Sequence, residues 1–305
     1  MTSISKMASA SNNALLTVTD TIQEHLSKWA HLELVSMLTL ILVLFHGFVT
    51  DNYRYPVQLF FLVAVFYRPI LSSALAWGLL GLVSTYEVVN FWHHTANHKF
   101  LTAYWIWTLC IAHWCQDESN KERTVLISAR FLIMLTMAGA CIQKLMSSSY
   151  MDGSFFEITL LVTPAFDFIL QLMGVDPTLA NFTTSGLADL SSASTQVVQS
   201  AISIPTSATF SFISMLITVW NLLIQFVLEA LCFFRGTRSQ LMFHWLFLFF
   251  IQTTYIAAPF VGFGFLICIW GYTISAKSFP RISYLYLASM LLMVVYQSPW
   301  RQVLF

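Results

Sequence analysis

Long apolar runs separated by short polar breaks make up most of this chain. A helix needs about 20 mainly apolar residues to cross the hydrocarbon core of a bilayer. The pattern therefore predicts an all-α, polytopic transmembrane bundle of about seven to nine helices. The runs that we assign to helices are Leu34–Val49, Tyr55–Tyr67, Ile70–Val89, Phe100–Cys115, Thr124–Lys144, Ala208–Phe234, Leu241–Ala257, Pro259–Ser275 and Ile282–Gln297.

Polar and proline-containing segments mark the ends of these runs. Arg68-Pro69 ends the second run, because proline breaks or restarts a helix. The charged stretch Asp117–Arg123 is expected to form a turn after the fourth run. Phe155–Met173 is interrupted by Pro164, so we expect it to lie on the membrane surface or to re-enter rather than span.

Two polar stretches define the domain organisation. Residues 1–28 are rich in Ser, Thr and Asn and become amphipathic, which favours an interfacial N-terminal segment ahead of one transmembrane domain at 29–305. The loop at 174–207 lacks Lys and Arg, so it is expected on the exoplasmic side, since basic residues concentrate in cytoplasmic loops. Counting helices from this loop predicts that Asn97, His98 and Lys144 lie on the same side.

Composition supports a membrane protein. Hydrophobic residues make up 57% of the chain and charged residues 9%, against about 25% charged in soluble domains. We expect a multi-pass protein of the endoplasmic reticulum or another endomembrane in a eukaryote, or of the inner membrane in a bacterium. The formal net charge of zero gives no indication of nucleic acid binding. The predicted partners are membrane lipids and a lipophilic small molecule.

Lys144 is the strongest candidate for chemistry, because a charged residue at membrane depth is costly and usually functional. A lysine removed from water can also act as a base. The alternative is a lysine that reaches the headgroups from a helix end. Glu229 needs a partner within the membrane, and Arg235, Arg238 or a histidine on a neighbouring helix could provide one.

Histidines supply the other candidates. His94 and His98 would share a helix face if their segment were helical, but the remaining histidines are scattered singly, so we predict no metal site. His244 lies in a strongly apolar run, where a hydrogen-bonding role between helices is the alternative to catalysis.

Four motifs occur in one order over about residues 60–275. They are Tyr67-Arg68, then Asn97–Leu101 (Asn-His-Lys-Phe-Leu), then Met137–Leu145 (Met-Ala-Gly-Ala-Cys-Ile-Gln-Lys-Leu) followed by Tyr150–Gly153, and finally Phe243-His244. Together they resemble the membrane domain of the vitamin K-dependent gamma-glutamyl carboxylases and of the wider horizontally transferred transmembrane family. Lys144 occupies the place of the catalytic lysine, and Gln143 replaces the lysine before it.

The resemblance implies an enzyme with an intramembrane Lys/His site. In the carboxylases, the lysine takes part in deprotonating a reduced vitamin K quinol, oxygen then yields a strong base and the epoxide, and carbon dioxide adds to glutamate. By resemblance, Lys144 is the general acid or base, and Asn97, His98 and His244 hydrogen-bond the reacting oxygen. A reduced quinone is the implied cofactor. We assign substrate binding to Arg68, Asp152, Glu157 and Glu229.

One departure limits the transfer of this activity. The carboxylases carry a large lumenal region after the membrane domain, whereas this sequence ends at Phe305, so carboxylation of peptide glutamate is not expected. Two alternatives stay open. The first is a cyclase or isomerase of isoprenoids with Asp152 or Glu157 as the acid. The second is a non-catalytic structural or lipid-binding subunit of a membrane complex, with a partner subunit.

Overall fold

The computed structural model describes residues 30–46, 54–162, 170, 208–234, 236–256 and 261–297. All regular structure in these residues is helical, which confirms the predicted all-α class. The chain forms two compact units, Met1–Val125 and Leu126–Phe305, and each is described by itself. The predicted segment 1–28, the loop at 174–207 and Arg235 lie outside the described residues.

The described residues of the first unit form four helices and the start of a fifth. Two 3-10 turns, Arg68–Ser72 and Trp92–His94, separate successive helices. The helices are α1 (His31–His46), α2 (Arg54–Phe66), α3 (Ala74–Asn90) and α4 (Asn97–Trp114), and α5 (Glu118–Met146) begins here and continues into the second unit.

Tryptophan N–H groups hold the first unit together. Trp77 and Trp105 are both 0% exposed. The Trp77 indole donates to the Leu71 carbonyl oxygen at 2.7 Å, and the Trp105 indole donates to Thr39 Oγ1 at 2.8 Å. Gly81 of α3 allows Trp107 of α4 to approach, because a Cβ at Gly81 would lie 2.9 Å from the indole ring. Satisfied indole donors and a close helix–helix approach therefore fix α1, α3 and α4.

The second unit contains one helix that is almost entirely buried. Its helices are the remainder of α5, the single turn α6 (Ser148–Met151), α7 (Ser154–Val162), α8 (Ala208–Phe233), α9 (Thr237–Ile251) with a π-helical turn at Gln252–Ile256, α10 (Val261–Ser275) and α11 (Pro280–Gln297). Every residue of α10 except Phe263 is buried. Gly271 of α10 leaves room for the Tyr286 ring of α11, which any Cβ at position 271 would overlap.

Several predicted boundaries shift in the structure. The predicted turn at Asp117–Arg123 is wrong, because α5 starts at Glu118. Asp117 accepts a hydrogen bond from the Ser119 backbone N–H at 3.3 Å, which satisfies a donor of the first turn and allows the helix to begin early. The run starting at Phe155 forms a helix only as far as Val162, and the segment around Pro164 lies outside the described residues.

Two described helices are long and apolar enough to cross a membrane, namely α5 and α8. At 1.5 Å per residue, their 29 and 26 residues correspond to about 43 and 39 Å, against a hydrocarbon core of about 30 Å. Lys144 lies in the last turn of α5, so the position of this helix end determines its surroundings.

Candidate functional site

Lys144 contacts residues that follow α5 directly in the chain. The chain leaves α5 at Ser147, whose side chain caps α6 by accepting a hydrogen bond from the Tyr150 backbone N–H at 3.3 Å. This short cap turns the chain back, so that Lys144 Nζ lies 5.3 Å from the centroid of the Tyr150 ring. A cation over an aromatic face at this distance is attracted by the ring quadrupole.

Two amide oxygens on α8 hold the Lys144 side chain. Lys144 Nζ donates hydrogen bonds to Asn221 Oδ1 and, at 2.6 Å, to Gln225 Oε1. In the part of the chain that the structure describes, no carboxylate forms an ion pair with Lys144. Two N–H groups are thus used, which leaves the third proton of an ammonium, or the lone pair of a neutral amine, available to another group.

Two oxygens of the second unit lack hydrogen-bond partners among the described residues. One is the hydroxyl of Tyr150, a residue only 4% exposed, and the other is Glu229 Oε2. Glu229 lies one turn beyond Gln225 on α8 and acts electrostatically on Cys141, one turn before Lys144. Leaving a buried polar group unpaired costs about 1–3 kcal/mol. Such groups call for a functional explanation, and the Tyr150 hydroxyl belongs to the ring that Lys144 contacts, which makes the end of α5 the candidate site.

His244 lies in a different environment within the same unit. Its Nδ1 is 2.9 Å from the Tyr286 hydroxyl, and its ring contacts Phe243 and Phe279 edge-on. His244 borders a cavity of about 470 Å³ that is also lined by Arg130. Arg130 lies 14 residues before Lys144 on α5, which is about 21 Å along the helix axis.

The structure brings only some of the predicted site residues together. On α8, Glu229 lies one turn beyond the Lys144 acceptor Gln225, whereas His244 lines a cavity together with Arg130 from an earlier part of α5. Asn97 and His98 form the first turn of α4 in the first unit, with Asn97 exposed and His98 half-buried. His94 ends a 3-10 turn, so it does not continue the helix that contains His98.

The remaining predicted binding residues have local roles. Arg68 is exposed at the start of a 3-10 turn in the first unit. Asp152 is exposed, and its Oδ1 accepts a hydrogen bond from the Ser154 backbone N–H at 2.9 Å at the start of α7. Hydrogen bonds from the Ser154 side chain and backbone hold the pKa of Asp152 below its ordinary value. Glu157 is half-buried in the first turn of α7.

Sequence reasoning missed Asn221, Gln225 and Tyr150. A signal for the first two was present, since Asn221, Gln225 and Glu229 occur at i, i+4 and i+8 in an otherwise apolar helix. This spacing places polar side chains along one face, where they face a neighbouring helix rather than lipid. Tyr150 also had a signal, since it opens the Tyr150–Gly153 motif, but no role was assigned to it.

No family model matches this sequence, and comparisons with curated proteins and with solved structures also give no match. The carboxylase resemblance therefore depends on the motifs alone and stays a prediction.

Proposed function

We propose that this protein is a membrane-embedded enzyme in which Lys144 transfers a proton to or from a lipophilic substrate. The observation that carries the proposal is the pair of amide acceptors, Asn221 and Gln225, with no carboxylate ion pair to Lys144 in the described chain. A carboxylate would stabilise the ammonium form strongly, whereas neutral amide oxygens accept hydrogen bonds from either protonation state. Lys144 can therefore both take up and release a proton.

Exposed apolar side chains support a polytopic membrane protein. On α5, Phe131 and Ile142 are 60% and 57% exposed, and on α8, Phe212 and Leu216 are 69% and 57% exposed. Apolar surface of this extent is a liability in water but is the normal lipid-facing surface of a membrane helix. The shorter apolar helices α1, α2, α10 and α11 are proposed to complete the membrane domain.

A reduced quinone is the substrate class that the carboxylase resemblance suggests. The residues fit a quinol hydroxyl, because Lys144 offers a proton acceptor and the buried Tyr150 hydroxyl has no partner in the described chain. When bound, the quinol would supply a weakly acidic O–H group. In the proposed step, the O–H bond breaks, its proton adds to the Lys144 amine to give an ammonium, and the electron pair stays on the quinol oxygen.

The test measures oxygen uptake by protein reconstituted in vesicles with a reduced naphthoquinone, relative to protein-free vesicles. Wild-type protein should accelerate uptake, and Lys144→Met should lose this acceleration. Lys121→Met serves as the control, since Lys121 pairs with Glu118 at 2.5 Å at the other end of α5. Absence of uptake above protein-free vesicles would overturn a quinol substrate. Equal rates for the wild type and Lys144→Met would overturn the catalytic role of Lys144.

A non-catalytic subunit is the second candidate, and the same contacts favour it. Lys144 joins α5 to α8 through two hydrogen bonds, which is an ordinary way for membrane helices to associate. In that case Lys144→Met would reduce thermal stability without affecting any turnover, and a partner protein would co-purify. The cyclase alternative is weaker for Asp152, since a carboxyl with a lowered pKa stays ionised near neutral pH and is a poor proton donor.

A further inference from the structure

A second polar feature of the second unit lies outside the Lys144 site. The cavity of about 470 Å³ beside His244 is formed by α5, α8, α9 and α10, and its volume falls within the range of small-molecule sites. Lys144 is not among the residues that line it. Most lining side chains are apolar, so the few polar groups determine which ligand the cavity can hold.

Arg130 supplies a permanent positive charge at the cavity. The guanidinium group carries five hydrogen-bond donors in a planar arrangement. Within the described residues, Arg130 makes no ion pair with a carboxylate. Arg130 is exposed on α5, and at membrane depth an exposed arginine is costly unless an anion or another polar group compensates it. The cavity that Arg130 lines is the place where such an anion would bind.

His244 of α9 also lines the cavity and can supply a second donor. The Tyr286 side chain is 0% exposed, and His244 Nδ1 is the hydrogen-bond partner of its hydroxyl. Among the described residues, the hydroxyl proton of Tyr286 has a hydrogen-bond acceptor only if the hydroxyl donates to His244 Nδ1. Neutral His244 then carries its own proton on Nε2, which makes Nε2 a donor. His244 and Arg130 therefore both carry N–H donors and both line the cavity, a combination that suits an anion.

The remaining walls suit a hydrocarbon chain. Leu231 and Phe243 are buried in the wall, whereas Phe131 and Phe233 are 60% and 65% exposed at the edge of the cavity. The apolar lining is thus continuous with the apolar surface of α5 and α8. A molecule with an anionic head and an apolar tail could bind its head inside while its tail stays in contact with this surface.

We propose that this cavity binds an anionic amphiphile, with its carboxylate or phosphate between Arg130 and His244 and its chain along Phe131 and Phe233. The anion would neutralise the Arg130 charge, and the apolar walls would remove the chain from water. A free anion shares the head-group chemistry but lacks the apolar part. The site is independent of the proton transfer proposed for Lys144.

The experiment compares the binding of radiolabelled dodecyl phosphate, oleate and oleyl alcohol to the purified full-length protein in detergent. Dodecyl phosphate and oleate should bind more tightly than oleyl alcohol. Arg130→Gln should weaken the two anionic ligands by about tenfold or more, the effect of losing a charged hydrogen bond, and leave oleyl alcohol unchanged. Arg123→Gln is the matched control, since Arg123 is an exposed residue on the same helix and does not line the cavity.

A second variant keeps the proposal testable if Arg130→Gln does not fold. Ile127 lines the cavity but is 54% exposed, so Ile127→Trp should narrow the cavity without disturbing the core and should weaken binding of all three ligands. Equal affinity of the wild type for oleyl alcohol and dodecyl phosphate would overturn the proposal, as would equal losses in Arg130→Gln and Arg123→Gln. Displacement of dodecyl phosphate by inorganic phosphate at similar concentrations would assign the site to a free anion and overturn the amphiphile.

Discussion

Lys144 Nζ and Gln225 Oε1 are joined by a hydrogen bond of 2.6 Å, although 81 residues separate them in the chain. Gln225 is 5% exposed, so its amide is removed from solvent. The bond links the last turn of α5 to the middle of α8 and fixes where the amine points. The same contact can stabilise a helix pair and position a base, and mutation can separate these two roles.

Replacing Gln225 with Leu should destabilise the protein by about 1 kcal/mol, the size found for hydrogen bonds between membrane helices. Lys144 would retain Asn221 as its acceptor, so the fold should survive. Thermal unfolding in detergent measures the change, with the exposed Gln143→Leu as the control. Combining Gln225→Leu with Lys144→Met gives a double-mutant cycle. Additive effects of the two changes would show that the side chains are not coupled.

Asp152 provides a prediction about pH. Its pKa in the folded protein lies below the ordinary value of about 3.9 because Ser154 hydrogen-bonds the carboxylate. The cap of α7 therefore adds stability above about pH 4, and this stability is lost as the pH falls through the folded-state pKa. Melting temperatures from pH 2.5 to 7 should show this acidic loss in the wild type and less of it in Asp152→Asn. Asparagine also caps helices, so Asp152→Asn should keep any enzymatic activity. Loss of that activity at unchanged stability would favour an acid role for Asp152.

Two glycines form a matched pair for stability. At Gly271, an added methyl group would overlap the Tyr286 ring, so Gly271→Ala should destabilise the protein by about 1–3 kcal/mol. At Gly139 of α5, an added Cβ would meet nothing within 4 Å, so Gly139→Ala should stabilise by about 0.5–1 kcal/mol through its higher helix propensity. Chemical unfolding in one detergent compares the two variants. A neutral or stabilising effect of Gly271→Ala would contradict the close packing of α10 against α11.

The apolar pattern predicted where most helices lie but not which side chains meet. The bounds of α2, α8 and α11 agree with the predicted runs to within two residues, because a change from apolar to polar residues marks their ends. The start of α5 was missed, since Asp117 and its neighbours are charged and read as a turn. Helix caps and polar turns use the same residue types, so the local sequence does not distinguish a capped helix start from a turn.

The candidate site was predicted only in part. Lys144 was identified because a charge in an apolar run is conspicuous, yet its acceptors Asn221 and Gln225 were not. Side-chain packing over the whole unit determines which helix packs against α5 and where along its axis the two helices meet. No local sequence pattern encodes this packing. Likewise, the partner of His244 is Tyr286, one of 11 tyrosines, and only the folded chain distinguishes it from the others.

Tyr286 should act as a positioning residue for the proposed anion site. In Tyr286→Phe, His244 Nδ1 loses its hydroxyl partner, and the proton of neutral His244 is no longer directed to Nε2. We expect severalfold weaker binding of dodecyl phosphate and unchanged binding of oleyl alcohol, because the apolar walls stay intact. Tyr284→Phe, two residues earlier on α11, is the matched control and should bind both ligands like the wild type. If Tyr286→Phe weakened both ligands equally, Tyr286 would only support the cavity wall, and the donor assigned to His244 Nε2 would be wrong.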